Sequence, residues 1–246
     1  MGQAMKLKCL GSSSKGNCYI LDGDSEALVI EVGIPLKEVK KALDFNISKV
    51  VGALISHRHN DHSKYFADYM KSGIQVYTSD ETQSALEIIT GEYAKPIAPN
   101  QSYKIGGFTV QPFELIHDVH CLGFYIKHTD IGKLLFITDT EYVPQNFKGL
   151  NVNHILVEAN YDKELMCREA VKSNHVLTGH MSIDTACEFI RKNDSVSLMN
   201  VVLLHLSDGS SDENEFLRKA KESVKSANVY IADKGVEVDL DLIPFG

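Results

Sequence analysis

Four side chains able to bind a metal fall within six residues in the run Ser56-His57-Arg58-His59-Asn60-Asp61-His62, directly after the apolar stretch Val50 to Ile55. That stretch reads as a buried strand, so the cluster leaves a strand end. Donors this close along the chain cannot all face one ion. His57 and His59 can point to one, while Asp61 and His62 turn to a second. Imidazole nitrogen and carboxylate oxygen are donors that zinc or a similar borderline ion accepts. A histidine-rich surface loop would share this composition, but not the compact His-x-His-x-Asp-His order at a strand end.

The rest of the chain alternates strands and helices. Strand-like runs recur at Leu7 to Leu10, Cys18 to Leu21, Ala27 to Glu31 and Val50 to Ser56, with a helix over Pro35 to Phe45. A helix over Lys64 to Lys71, a strand over Ile74 to Thr78 and a helix capped by Ser79 or Asp80 follow. Phe108 to Ile116, Leu122 to Lys127 and Lys133 to Thr138 read as consecutive strands. Strands over Ile155 to Glu158, Val201 to Leu204 and Val229 to Ile231 then alternate with helices over Asp184 to Lys192 and Asp212 to Lys225. Each half thus supplies strands followed by helices, which suits an α/β fold of two sheets packed face to face with helices outside. Residues 1–246 carry no low-complexity linker or short-period repeat and read as a single domain.

The His-x-His-x-Asp-His order resembles the second motif of the metallo-β-lactamase superfamily, and the resemblance spans nearly the whole chain. It implies the four-layer αββα fold of that superfamily. It also implies two divalent metal ions, with Zn2+ expected and Mn2+ as the alternative. His117 in Ile116-His117-Asp118 looks like the third-motif histidine, with His120 as its competitor. Asp139 in Ile137-Thr138-Asp139-Thr140 looks like the carboxylate that bridges the ions, and His205 in Leu204-His205-Leu206-Ser207 like the last ligand. The implied ligand set is His57, His59, Asp61, His62, His117, Asp139 and His205. Glu31 stands where many relatives carry an Asp and is expected to orient a histidine ligand.

Glu158 in Glu158-Ala159-Asn160-Tyr161 and His180 in Gly179-His180-Met181-Ser182 resemble the transfer RNA 3′-processing endonuclease branch, in which a strand-end Glu supports a His that protonates the leaving oxygen. The implied catalytic set is Asp61, as ligand and proton acceptor, with His180 as acid and Glu158 as its support. Two cations lower the pKa of a shared water and neutralise phosphate oxygens. Asp139 follows His117 by only 22 positions, which two strands already fill, so the long arm that grips transfer RNA is missing. The gap from Asp139 to His205 likewise leaves no room for a large inserted domain.

Leu10-Gly11-Ser12-Ser13-Ser14-Lys15-Gly16-Asn17-Cys18 and His205-Leu206-Ser207-Asp208-Gly209 resemble a compact bacterial and phage subgroup. It includes exonuclease-like proteins of cell-wall regulatory operons and phage anti-Pycsar enzymes that destroy cyclic nucleotide alarms. Gly11 to Asn17 either contacts a phosphate or base or forms a tight hairpin.

Charge narrows the substrate. Lys and Arg number 25 against 33 Asp and Glu, a formal net charge of −8. A long polyanion is repelled on average, and the densest basic stretches, Lys37 to Lys41 and Arg218 to Lys225, also carry acids. The expectation is a phosphodiesterase opening 3′,5′-cyclic nucleotides, with cyclic CMP and cyclic UMP the substrates that the anti-Pycsar resemblance implies and phage evasion of host signalling the setting. A DNA exonuclease of the same subgroup is the alternative, and a non-catalytic binding module is disfavoured by intact ligands at all seven positions. Tyr161 or Tyr142 is a candidate for stacking on the base. The subgroup implies a homodimer, with a small nucleotide as substrate and no long nucleic acid as partner. The five cysteines, Cys9, Cys18, Cys121, Cys167 and Cys187, form no Cys-x-x-Cys pair and read as reduced core residues. No apolar run approaches the roughly 20 residues of a membrane span, and Met1 to Lys8 lacks the layout of a signal peptide, so a cytoplasmic protein without membrane contact is expected.

Overall fold

The structure, a computed structural model, describes residues 5–168, 179–207 and 209–242. Two seven-stranded sheets form its frame. The first takes β1 (Lys6–Ser13), β2 (Gly16–Asp22), β3 (Ala27–Ile30), β4 (Val50–Leu54), β5 (Val76–Thr78), β6 (Ala94–Pro96) and β14 (Glu237–Asp239), in the order β14-β1-β2-β3-β4-β5-β6. The second takes β7 (Tyr103–Ile105), β8 (Phe108–Leu115), β9 (Cys121–His128), β10 (Gly132–Ile137), β11 (His154–Glu158), β12 (Asn200–Leu204) and β13 (Asn228–Ile231), in the order β13-β12-β11-β10-β9-β8-β7. Each sheet is antiparallel on one side and parallel on the other. In the second, β10 through β13 run parallel while β7 to β10 are hairpin-linked.

Three apolar layers hold the frame together. Between the sheets, Leu7, Tyr19, Leu28 and Leu54 meet Phe108, Phe124, Phe136 and Val202, all buried. The outer face of the first sheet is covered by Leu36 and Val39 of α1 (Leu36–Ala42) and Tyr69 of α3 (Phe66–Lys71). The outer face of the second is covered by Ile183, Ala186 and Ile190 of α6 (Ile183–Asn193) and Phe216 of α7 (Glu213–Lys221). Helix, sheet, sheet and helix therefore stack as expected, because each strand of the sandwich buries one face inward and one under a helix. Each fully buried large apolar side chain contributes about 1.5–3 kcal/mol.

Element ends depart from expectation where local chemistry intervenes. The first helix stops at Ala42 because Asp44 and Phe45 adopt left-handed backbone, φ 48° and 62°. The helix expected from Lys64 begins earlier: Asn60–Ser63 already forms a helical turn, α2, which carries Asp61 and His62, and α3 follows. Ser79 caps α4 (Asp80–Ala85), its Oγ accepting from the Thr82 amide at 3.1 Å. The short strands β6, β7 and β14 and the helix α5 (Lys163–Arg168) carry little apolar periodicity and have no counterpart in the sequence reading. Among the described residues, no helix is long and apolar enough to cross a membrane.

Candidate metal centre

β4, β8, β10 and β12 all end at the same edge of the sandwich, and each is followed by part of one cluster. His57 and His59 leave β4, with Asp61 and His62 on the turn of α2. His117 follows β8, Asp139 follows β10, and His205 follows β12 directly. The first group of donors comprises His57, His59, His117 and Asp139, the second Asp61, His62, Asp139 and His205, the donor atoms of each lying within 4.8 Å of one another. In the first, His59 Nδ1 lies 3.0 Å from His57 Nε2 and 3.3 Å from His117 Nε2. In the second, Asp61 Oδ2 lies 3.3 Å from both His62 Nε2 and His205 Nε2. Asp139 Oδ2 serves both, at 3.7 Å from His57 Nε2 and 3.4 Å from His62 Nε2.

These separations test the donor set. Zinc bonds to nitrogen or oxygen of about 2.0–2.2 Å in tetrahedral arrangement put donors about 3.4 Å apart. The observed spacings scatter around that value, and the converging nitrogens cannot all satisfy one another by hydrogen bonds. The residues fit divalent cations.

The outward atoms of the same side chains are held in turn. His57 Nδ1 meets Ser56 Oγ at 2.8 Å, and His117 Nδ1 donates to the Gly179 carbonyl at 2.7 Å. His62 Nδ1 faces Glu31 Oε1 at 3.4 Å, both side chains being fully buried, so Glu31 stands behind a histidine of the cluster. Glu158 Oε2 accepts from the amides of Thr140 and Met181, each at 3.0 Å, which leaves Oε1 for His180 Nδ1 at 2.6 Å and His205 Nδ1 at 3.3 Å. Such partners fix a ring's tautomer and orientation. Three residues at these strand ends, Glu31, Asp139 and His205, have positive φ (65°, 23° and 55°). Left-handed backbone in residues other than glycine costs of order 1–3 kcal/mol, and concentrates where a site over-determines it.

Charge follows the geometry. Burial opposes ionisation of Asp61, but hydrogen bonds from His205 and His62 hold its carboxyl well below the usual range. Burial likewise works against a charged His205, yet Asp139, Asp61 and Glu158 carry its pKa up to about 10. Burial depresses His57, with neighbouring His62 adding to it. His180, despite burial, is raised by its bond to Glu158. The carboxylates are thus held anionic while His62, His180 and His205 are all favoured in the protonated form, His180 being the most exposed of the three.

All seven residues proposed from the sequence meet in the cluster, and Glu158 and His180 adjoin it: Asp139, Glu158, His180 and His205 form a third group within 4.8 Å. His120 stays outside, its Nδ1 bonded to Ser79 Oγ at 3.1 Å. Tyr161 is buried, and Tyr142 is half-exposed and lines a cavity beside α6. Gly11 to Asn17 closes a tight hairpin between β1 and β2. Asp208 lies outside the described residues, as does the side chain of Cys167. The other four cysteines are buried and free. Three residues lie inside the motifs of the sequence reading but have no individual role there. Asp118 Oδ1 lies 3.1 Å from His117 Nε2, Asn160 Nδ2 lies 2.8 Å from the His205 carbonyl, and Asn17 touches Asp61 and His62.

Two cavities flank the cluster. One of about 240 Å³ is lined by Arg58 with Glu81 and Asp118. The other, about 710 Å³ beside the β1–β2 hairpin, is lined by Lys15, Lys37 and Lys234 against Glu38, Glu213 and Asp233. Among the described residues, neither lining is net cationic.

Comparison with known proteins agrees with this architecture. Residues 36–205 match the family model of the beta-lactamase superfamily domain. Exodeoxyribonuclease YycJ of Bacillus anthracis is 30% identical over 171 residues, covering 64% of this chain and 63% of that protein, so the match spans less than two thirds of the relative. Exodeoxyribonuclease WalJ of Streptococcus pneumoniae is 25% identical over 253 residues, 95% of this chain and 91% of that protein. Among solved structures, the metallo-beta-lactamase fold protein YhfI from Bacillus subtilis superposes with a TM-score of 0.74 at 18% identity, over 96% of this chain and 99% of its own.

Proposed function

The chain belongs to the beta-lactamase superfamily, and from that premise and the geometry of its cluster we propose that it is a dinuclear metal-dependent phosphodiesterase opening 3′,5′-cyclic nucleotides. His57, His59, His117 and Asp139 would hold one cation; Asp61, His62, His205 and the shared Asp139 would hold the other. Zinc suits this nitrogen-rich donor set, with manganese the alternative. When bound, two such cations acidify water and neutralise the phosphate oxygens.

The observation that carries phosphodiester chemistry is the His180–Glu158 pair beside that cluster. Glu158 accepts a hydrogen bond from His180 Nδ1 at 2.6 Å, so Nε2 of the charged ring is the atom that can donate to a departing ribose oxygen. Glu158 itself cannot swing away, because the Thr140 and Met181 amides grip its other oxygen. Asp61, anionic and bonded to two rings, serves as the acceptor for a proton from water.

Charge favours a small substrate. A single cyclic phosphodiester with one negative charge needs no cationic track, and among the described residues neither flanking cavity offers one. The second reading, a DNA exonuclease, is favoured by the likeness to the two relatives named as exodeoxyribonucleases. Purified, metal-loaded protein should be assayed on a panel of 3′,5′-cyclic nucleotides and on labelled single-stranded DNA, with Asp139→Ala as control. Metal-dependent ring opening that spares DNA is the expected result. DNA degradation with inert cyclic nucleotides would replace the proposal with the exonuclease. We propose further that the protein works in the cytoplasm and as a homodimer, the latter checked by its mass in solution.

A further inference from the structure

We propose that Asn17, fixed by Tyr19 and Ser12 of the β1–β2 hairpin, is a positioning residue for one of the two cation sites and not for the other. The inference rests on reading Asp61, His62 and His205 as cation ligands. Asn17 is fully buried, and its Nδ2 lies 3.2 Å from Asp61 Oδ2, 3.4 Å from the Asp61 carbonyl and 3.0 Å from His62 Nε2. What turns the amide this way is the other end of the side chain: Tyr19 Oη donates to Asn17 Oδ1 at 3.4 Å. Tyr19 Oη in turn lies 2.7 Å from Ser12 Oγ, which accepts from the His205 backbone amide at 2.9 Å.

One polarity satisfies every group in this chain. The His205 amide donates to Ser12, Ser12 to Tyr19, Tyr19 to the Asn17 carbonyl oxygen, and the Asn17 amide to Asp61. The run joins two proposed ligands from opposite sheets, Asp61 and His205, and ends on the carboxylate. The backbone is tied as well. The Gly33 amide donates to the Asn17 carbonyl at 3.0 Å, and the Val32 amide to the His62 carbonyl at 2.8 Å. No hydrogen bond from Ser12, Asn17 or Tyr19 reaches His57, His59 or His117 among the described contacts. His57 is backed instead by Ser56 and His117 by the Gly179 carbonyl. Ligands whose partners are removed typically lose 10–100-fold in metal affinity.

The test is Asn17→Leu, which keeps volume and removes the amide, with Tyr19→Phe as the milder variant should the first fail to fold. Circular dichroism of the metal-free proteins checks the fold. Cobalt(II) titration followed by visible absorption, with bound metal counted by elemental analysis, reads the sites. Wild type should take up two equivalents. Asn17→Leu should keep the affinity of one and weaken the other at least tenfold, and Tyr19→Phe should shift the same site less. Two wild-type affinities in a folded Asn17→Leu protein, or equal weakening of both, overturn the inference while leaving the metal centre intact. A wild-type protein that binds no cobalt overturns the reading of the ligands and this inference with it.

Discussion

His180 and Glu158 face one another across 2.6 Å, the histidine one-fifth exposed and the glutamate wholly buried. A buried carboxylate that spends its second oxygen on two backbone amides has one lone-pair set left for the ring. The pair is therefore a fixed unit at the rim of the cluster. Replacing His180 by Asn should reduce turnover of a cyclic nucleotide by about 10²–10⁴-fold, the span typical of a lost general acid. Bound metal, counted by elemental analysis, should not change. Full activity in this variant would remove His180 from the mechanism.

Asp139 is the carboxylate that both donor groups share, so it should couple metal to stability. A ligand at 100 times its dissociation constant stabilises by about 2.7 kcal/mol, or roughly 5–10 °C in a chain of this size. Chelation should lower the melting temperature of wild type by that amount. Asp139→Asn, which tolerates the left-handed backbone at this position, should melt at the same temperature with and without chelator. A variant that keeps the full metal-dependent shift would show that Asp139 holds no cation.

Gly33 has no room for a side chain. A Cβ there would collide with the Asp61 carbonyl and stand 2.8 Å from the Asn17 amide nitrogen. Both neighbours are backbone, so something must move. Gly33→Ala should cost at least about 1–3 kcal/mol, the range for overpacking a filled interior, and should displace Asp61. Chemical denaturation together with metal counting checks this. Unchanged stability and two retained cations would mean that the segment is looser than its packing implies.

His154 supplies a pH test away from the metal centre. It is buried on β11 with Nδ1 bonded to Asn200 Nδ2 at 3.1 Å, and burial pulls its pKa down to about 4. The neutral ring is the folded form. Its contribution to stability is present above the unfolded value of about 6.5 and is lost as pH falls from there through 4, amounting to about 3 kcal/mol. Urea unfolding at intervals from pH 7 to 4.5 should show wild type losing more stability than His154→Gln. Parallel curves would mean that the ring is solvated on acidification at no cost.

Much of this centre was legible because donors at strand ends leave a local mark. Each of His57, His117, Asp139 and His205 follows an apolar run, and the run fixes where the side chain emerges. Asn17 left no such mark. Its role depends on β1 and β2 folding back beneath α2, a contact between positions 44 apart that no local pattern encodes. The same holds for the left-handed backbone at Glu31, Asp139 and His205. Those φ values are set by packing against neighbours and cannot be read from the residue types, since most Glu, Asp and His residues stay at negative φ. Nor was α2 legible: four residues with no apolar periodicity leave no helical signal, so the helix is expected only from Lys64. The edge strands β6, β7 and β14, three residues each, are too short for alternation to be seen.

The donors are divided between the two sheets, with His57, His59, Asp61 and His62 carried by the first and His117, Asp139 and His205 by the second. During synthesis the ribosome releases the first four long before the last. A nascent chain that ends before residue 205 already carries the first donor group but lacks the His205 that completes the second. If these donors hold two cations, filling of the second site would be a late event in maturation. It would mark chains whose two halves have closed on each other, and truncated copies would go without the second ion.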